Sequence, residues 1–320
     1  MGLAFVFPGQ GSQSVGMLDG FLANDREGAV AGLVARANAV LQEDLGALIA
    51  QGPAETLNLT THTQPAMLLA GFAALTAWRT AGGPEPIAVA GHSLGEYTAL
   101  VAAQSLRFED AVGLVRVRAQ AMQAAVPVGT GAMAAILGLD DPAVQATCEE
   151  ASAQARSAGE PAVVEAVNFN APAQVVIAGD RQAVERACAL AKAAGAKRAL
   201  LLPVSAPFHS SLLRPAGDVL ARALVSIDLR TPAVDLINNV DVAIEREPER
   251  IRDALVRQAW GPVRWVQIIQ RLEAMGITHV VEMGPGKVLT GLAKRIAPTL
   301  KTSAVADPES LAAALAECGA

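Results

Sequence analysis

Ile87–Gly95 reads IAVAGHSLG, and this stretch decides the fold. Four apolar residues between Pro86 and Gly91 form a short continuous run, the signature of a strand buried inside a parallel sheet. The run passes through Gly91-His92-Ser93-Leu94-Gly95 into an Ala- and Leu-rich segment, read as a helix to about Gln104. Strand, sharp turn and helix together are the setting of a nucleophile elbow. Glycines at both ends relieve crowding, and the Ser93 hydroxyl is left exposed at the apex. The helix that starts there aims its free backbone N–H groups and the positive end of its dipole at any charge developing near Ser93. A bare Gly-x-Ser-x-Gly also arises by chance in structural turns; the strand–turn–helix context favours the nucleophile.

Upstream, Leu3–Phe7 (LAFVF) is a second buried strand, ended by Pro8-Gly9, and helical segments fill the chain to Ala50 and again over 64–80. Downstream a helix spans 108–125. The rhythm then changes: strand 132–137, helix 142–157, strands 163–168 and 174–178, helix 181–194 and strand 199–204. That β-α-β-β-α-β order is ferredoxin-like. After it the longer α/β pattern resumes, with helices at 211–226 and 266–275, a strand at 279–282 and a helix at 287–296. The expected fold is an α/β-hydrolase-like core with a mostly parallel sheet, formed by residues 1–127 and 203–320, interrupted by a ferredoxin-like subdomain at 128–202.

Composition narrows the function. Of 320 residues, 52% are hydrophobic and 18% charged, so the chain can bury a sizeable core and is not a disordered one. Twenty-five Lys and Arg against 31 Asp and Glu give a net charge of -6, without the basic excess of a nucleic-acid binder. Cys148, Cys188 and Cys318 form no CxxC pair and, being odd in number, no disulfide framework. They read as small apolar side chains on alanine-rich helices in a reducing cytoplasm. No apolar stretch reaches the length of a membrane span, and no signal peptide is read at the start.

A serine nucleophile needs a base. Of four histidines, His92 adjoins Ser93 in sequence and should point away from its hydroxyl. His62, in a threonine-rich helix entry, reads as a surface or capping residue, and His279, opening a buried strand, as a satisfied core residue. His209 remains: it lies in the loop Ser205-Ala206-Pro207-Phe208-His209-Ser210 after a strand end. No obvious acid completes a triad, since Asp140, Asp141 and Asp180 belong to the insertion and Asp218 and Asp228 to a helix or its end. A backbone carbonyl is the alternative orienting group. Phe7-Pro8-Gly9-Gln10-Gly11-Ser12-Gln13 lacks the Lys-Ser/Thr of a P-loop; its place after the first strand suits a second oxyanion donor beside the Leu94 N–H. On the helix from Phe108, Arg118 projects from an apolar arc of Ala111, Leu114, Val115, Ala119 and Met122, so it needs an anion or a polar cavity, unless it snorkels to water.

These elements resemble the malonyl-CoA:acyl carrier protein transacylases of fatty-acid synthesis. The matching stretches are Phe7–Gln13 (FPGQGSQ), Gly91–Tyr97 (GHSLGEY), Gly129–Gly138 (GTGAMAAILG), Asn168–Gly179 (NFNAPAQVVIAG), Ser205–Ser210 (SAPFHS) and Glu282–Leu292 (EMGPGKVLTGL). They span nearly the whole chain in family order. The resemblance implies Ser93 as nucleophile, His209 as base, Gln10 and Leu94 as oxyanion hole and Arg118 as the carboxylate-binding arginine. It implies that the carbonyl of Gln258 orients the histidine, and that Asn168 and Asn170 lie near the pantetheine arm. It further implies malonyl-CoA as substrate, CoA as product, acyl carrier protein as transient partner, and neither metal nor tightly held cofactor. Nucleic acid and membrane are not expected partners, and the chain is expected to act as a monomer. Rival readings are a serine thioesterase or other hydrolase, a stand-alone acyltransferase serving a polyketide synthase, and a catalytically silent interaction module. Two basic clusters, Lys192/Lys197/Arg198 and Lys287/Lys294/Arg295, are candidates for docking an acidic carrier or are simply solvated faces.

Overall fold

In a computed structural model that describes residues 2–319, helices separate the strands β1 (Leu3–Phe7), β2 (Ala88–Gly91), β3 (Gly131–Leu137), β4 (Val164–Ala171), β5 (Gln174–Asp180), β6 (Arg198–Leu201), β7 (Asp235–Ile237), β8 (His279–Met283) and β9 (Lys301–Val305). Every residue of β1, β2 and β8 is buried, because helices cover both faces of the sheet they form. The sequences of β1 and β2 are accordingly continuous apolar runs rather than alternations, and β8 departs from that only at His279 and Glu282, whose buried side chains are hydrogen-bonded. The sheet order is β7-β2-β1-β8-β9, and every pairing in it is parallel. Counted along the chain this is the order 3-2-1-4-5, a doubly wound sheet whose winding reverses beside β1. Ligands of such sheets bind in the crevice at the carboxyl ends of the strands near that reversal. Phe7 pairs with Gly91 across β1 and β2, so the loops bearing Gln10 and Ser93 leave the sheet side by side at that edge.

The second sheet, β4-β5-β3-β6, is antiparallel throughout and has the ferredoxin-like strand order. Helices Asp141–Ser157 and Arg181–Ala193 pack on it over a core of its own that includes Ile136, Val144, Ala151, Ile177 and Ala187. Its edge strand β4 is tied to the rest of the molecule: the Phe169 N–H donates to Val263 O at 2.9 Å, and the Val263 N–H to Val167 O at 2.8 Å. The smaller sheet is thereby held over the carboxyl edge of the larger one.

Several elements differ from the sequence reading. The last strand of the insertion ends at Leu201 instead of Val204, and beyond it Leu202 and Val204 line a cavity. The helix expected over 211–226 starts as a 3-10 turn, Ser211–Leu213, and becomes α-helical only at Arg214–Leu224, with Pro215 in its first turn. Strands β7 and β9 and the helices Pro248–Gln258 and Pro308–Cys318 were not read from sequence. No helix among the described residues is long and apolar enough to cross a membrane.

Candidate active site

At the end of β2 the chain turns so sharply that Ser93 takes φ = 53°, a left-handed conformation costly for a residue with a Cβ. The flanking glycines make the turn possible. A Cβ on Gly91 would lie 1.9 Å from the Gly95 carbonyl carbon, and one on Gly95 would lie 2.0 Å from Phe7 O. No larger residue fits at either place. Asn239, just after β7, clamps the elbow from outside: its Oδ1 accepts the Ser93 N–H at 2.7 Å, and its Nδ2 donates to Gly91 O at 2.7 Å.

The turn brings the Ser93 Oγ within 2.7 Å of His209 Nε2. On the far side of the ring, Nδ1 lies 2.9 Å from Gln258 O and 3.2 Å from Gly261 O. Carbonyl oxygens only accept, so Nδ1 carries the proton, Nε2 presents a lone pair, and the serine hydroxyl donates to it. Two carbonyls occupy the place where a triad would put an acid. His209 is 4% exposed, and burial, reinforced by the positive charge of Arg118, pushes its pKa down to about 3. The imidazole is therefore neutral at ordinary pH, the state a general base requires.

Arg118, from the helix Phe108–Ala124, is 2% exposed. Its guanidinium donates to Gln64 Oε1 at 2.9 Å, to Gln258 Oε1 at 3.0 Å and to Ser93 Oγ at 3.1 Å, and it lies over the Tyr97 ring. It does not snorkel, and no carboxylate pairs with it directly among the described residues. Desolvation lowers its pKa from the usual arginine value.

Helix Gly95–Ala102 begins just beyond the elbow, capped by Leu94. Among the described residues neither the Leu94 N–H nor the Gln10 N–H has a hydrogen-bond acceptor, whereas the Ser93 N–H is consumed by Asn239. Ser93, Leu94, Gln10, His209 and Arg118 all line one cavity of about 200 Å³, walled on the smaller-sheet side by Met133, Val176 and Leu202. Asn168 and Asn170 line it too. Asn168 Oδ1 is buried without a partner, while Asn170 Oδ1 lies 2.8 Å from His92 Nε2. His92 is thus held away from the Ser93 hydroxyl.

The other two histidines lie elsewhere. His279 is buried, with Nε2 2.7 Å from Ser303 Oγ. His62 sits within the first turn of the helix Thr60–Thr80, 3.9 Å from Glu43, and caps nothing, the N-cap being Leu59. All three cysteines lie on helices. Among the described residues there is no cluster of His, Cys, Asp and Glu that could hold a metal.

A family model described as an acyl transferase domain matches residues 4–313. A malonyl CoA-acyl carrier protein transacylase of Escherichia coli (strain K12) is 54% identical over 312 residues, covering 98% of each chain. The chain belongs to this transacylase family. Solved structures agree with that membership. An acyl-carrier-protein S-malonyltransferase from Burkholderia pseudomallei 1710b is 59% identical, with 99% of this chain and 100% of that one covered and a TM-score of 0.94. A malonyl-transacylase solved with a type II PKS acyl-carrier protein is 49% identical, with the same coverage and the same TM-score.

Within this transacylase fold, sequence reasoning missed four residues of the site. Gln64 stands in the sequence reading only as a helix start, and Gly261 carries no signal there beyond its nearness to Gln258. Asn239 follows a three-residue strand too short to signal itself. Glu96 stood within the quoted GHSLGEY stretch, yet its burial (1% exposed) shows only once the helix is packed.

Proposed function

We propose that this chain transfers the malonyl group of malonyl-CoA to the phosphopantetheine thiol of an acyl carrier protein, through a malonyl ester on Ser93. The observation that carries this reading is the buried Arg118 guanidinium, hydrogen-bonded to the nucleophile itself at 3.1 Å. Every acyl thioester needs a serine and a base; an acyl chain ending in a carboxylate also needs a buried cation beside them. A planar guanidinium accepts such a carboxylate through two parallel charge-assisted hydrogen bonds.

The steps follow from the geometry. His209 Nε2 takes the Ser93 hydroxyl proton as Oγ attacks the thioester carbon. The oxygen of the tetrahedral intermediate takes the two unengaged N–H groups of Gln10 and Leu94, supported by the amino end of the helix behind Leu94. The imidazolium then protonates the departing CoA sulfur, the C–S bond breaks, and the malonyl ester remains on Ser93. The carrier thiol reverses these steps, giving up its proton to His209 and restoring the serine. Carbonyls of Gln258 and Gly261 keep Nδ1 protonated throughout. When the malonyl carboxylate neutralises Arg118, one cause of the depressed His209 basicity is relieved, so the correct substrate strengthens the base it needs. Asn168 lines the cavity and its buried Oδ1 is unpaired, which suits an amide N–H of the pantetheine arm.

A single chain holds all of these groups, which supports a monomeric unit, and the family's place in fatty-acid synthesis supports a cytoplasmic one. The residues need no metal or resident cofactor for this chemistry. A carrier-docking surface is supported where exposed Lys197 and Arg198 begin β6, because the same segment continues through exposed Leu200 and Leu201 to Leu202 and Val204 in the cavity wall. The test is the fate of the acyl group. Malonyl-CoA incubated with the protein and a phosphopantetheinylated carrier is expected to yield malonyl-carrier faster than free malonate. Free malonate as the main product would assign a thioesterase instead.

A further inference from the structure

Glu96 is a buried carboxylate that the steps above do not use. It lies in the first turn of the helix Gly95–Ala102, three residues from the nucleophile, and is 1% exposed. Its Oε2 accepts the Asn239 N–H at 3.0 Å and a Gln258 Nε2 hydrogen at 3.0 Å. Gln258 donates its other Nε2 hydrogen to Ser93 O at 2.7 Å and turns its Oε1 to Arg118 at 3.0 Å. The amide dipole therefore runs from the anion to the cation, negative end on Arg118 and positive end on Glu96.

A buried guanidinium with no anion nearby is costly. One paired directly with a carboxylate has its fork already filled. An uncharged amide between the two charges meets both requirements: the cation is balanced, and its Nε and second Nη1 hydrogens, which have no acceptor among the described residues, remain for a substrate carboxylate. We propose that Glu96 is the counter-charge of Arg118, a positioning residue that holds the guanidinium ready for a substrate carboxylate at one remove through Gln258. This inference rests on the reading of Arg118 given above.

Such an arrangement makes Glu96 and the substrate carboxylate rivals for one cation, so binding of either weakens the other. Around Glu96 stand Arg118 from the helix Phe108–Ala124, Asp241 from the loop after β7, Gln258 from the helix Pro248–Gln258, and Tyr97 on its own helix. Arg118 remains cationic, Asp241 is held ionised by Arg257, and burial pushes Tyr97 up to about 12. Burial likewise pushes Glu96 up to about 7, against the opposing pull of Gln258, Asn239 and Arg118. Among these groups Glu96 is the one that changes charge between pH 6 and 8, and protonating it leaves Arg118 to the substrate.

The test is calorimetric binding of malonyl-CoA and acetyl-CoA to Ser93→Ala, which cannot be acylated at residue 93, and to Ser93→Ala/Glu96→Gln. Glutamine keeps the size and an acceptor oxygen while removing the charge. At pH 8 the double variant is expected to bind malonyl-CoA about tenfold more tightly, the scale of one charge coupling, with acetyl-CoA changed less than about twofold. In Ser93→Ala alone, the preference for malonyl-CoA over acetyl-CoA is expected to rise as pH falls from 8 to 6; comparing the two ligands cancels the titration of their shared CoA phosphates. In the double variant that preference should be flat. If the double variant does not fold, the pH series on Ser93→Ala decides by itself. Unchanged or weaker malonyl-CoA binding at pH 8, equal shifts for both ligands, or a preference independent of pH in Ser93→Ala would overturn the role of Glu96. No preference for malonyl-CoA in Ser93→Ala at either pH would overturn the reading of Arg118 itself, and this inference with it.

Discussion

Replacing Arg118 by alanine removes the cation and leaves the rest of the reacting groups in place. The wild-type guanidinium is 2% exposed and sits beside Ser93 Oγ in a cavity of about 200 Å³, so a malonyl carboxylate held there is desolvated with it. Removing one partner of a buried, hydrogen-bonded charge pair costs about 2–5 kcal/mol. Water can enter the space left by the side chain and solvate the stranded carboxylate, which places the expected cost near the middle, at about 3 kcal/mol, or roughly a hundredfold. Acetyl-CoA brings no carboxylate. It loses only the Arg118 hydrogen bond to Ser93 Oγ, about 1 kcal/mol or some fivefold, offset by the gain in His209 basicity once the neighbouring charge is gone. The assay is kcat/KM for malonyl-CoA and acetyl-CoA with one carrier protein in both enzymes. The malonyl-to-acetyl ratio is expected to fall by roughly 10²-fold. Arg118→Lys should fall between, since an ammonium keeps the charge but not the fork. An unchanged ratio in Arg118→Ala would make Arg118 a structural arginine and refute the assignment of a dicarboxylate acyl group.

His209→Ala should slow transfer by about 10²–10⁴, the usual share of a general acid–base, as measured by single-turnover acylation; a near-normal rate would move the base to His92 or to water. Because His209 must be neutral to act and its pKa is pushed down to about 3, kcat/KM for acetyl-CoA should show no loss as pH falls from 7 to 5. An acid limb near the ordinary histidine value would contradict the lowering of the His209 pKa by burial and Arg118. Reversing the charges of Lys197 and Arg198, both exposed at the start of β6, should raise KM for the carrier in a salt-sensitive way and leave hydrolysis of malonyl-CoA unchanged. Equal effects on both substrates would indicate damage to the cavity instead.

Much of the site was legible because its constraints are local. The elbow is written in five consecutive residues, since only glycine clears the backbone contacts at Gly91 and Gly95. The buried strands β1 and β2 are continuous apolar runs, and Arg118 stands out by helical spacing alone. The ferredoxin-like unit announced itself through the order of its elements. What stayed hidden is long-range. The Asn239 clamp on Ser93 joins positions 146 apart, and the Gln258 side chain meets Ser93 O across 165. Neither partner carries a pattern of its own. β7 is three residues long, β9 (KTSAV) mixes polar with apolar, and the helix Pro248–Gln258 is largely charged. The two strands are fixed by what they pack against, while the helix shows only a narrow apolar face of Ile251, Ala254 and Leu255 among its charges. Glu96 lay in plain view within a recognised stretch, but a carboxylate in a first helical turn ordinarily reads as a favourable charge for the helix dipole. Only burial sets it apart.

The central claim is that a malonyl group passes through an ester on Ser93, and intact-protein mass after brief incubation with malonyl-CoA tests it most directly. Wild-type protein should gain the mass of one malonyl group, lose it on addition of phosphopantetheinylated carrier with equal gain by the carrier, and Ser93→Ala should gain nothing. A malonyl adduct on Ser93→Ala, or transfer to the carrier at the wild-type rate by that variant, would contradict the account.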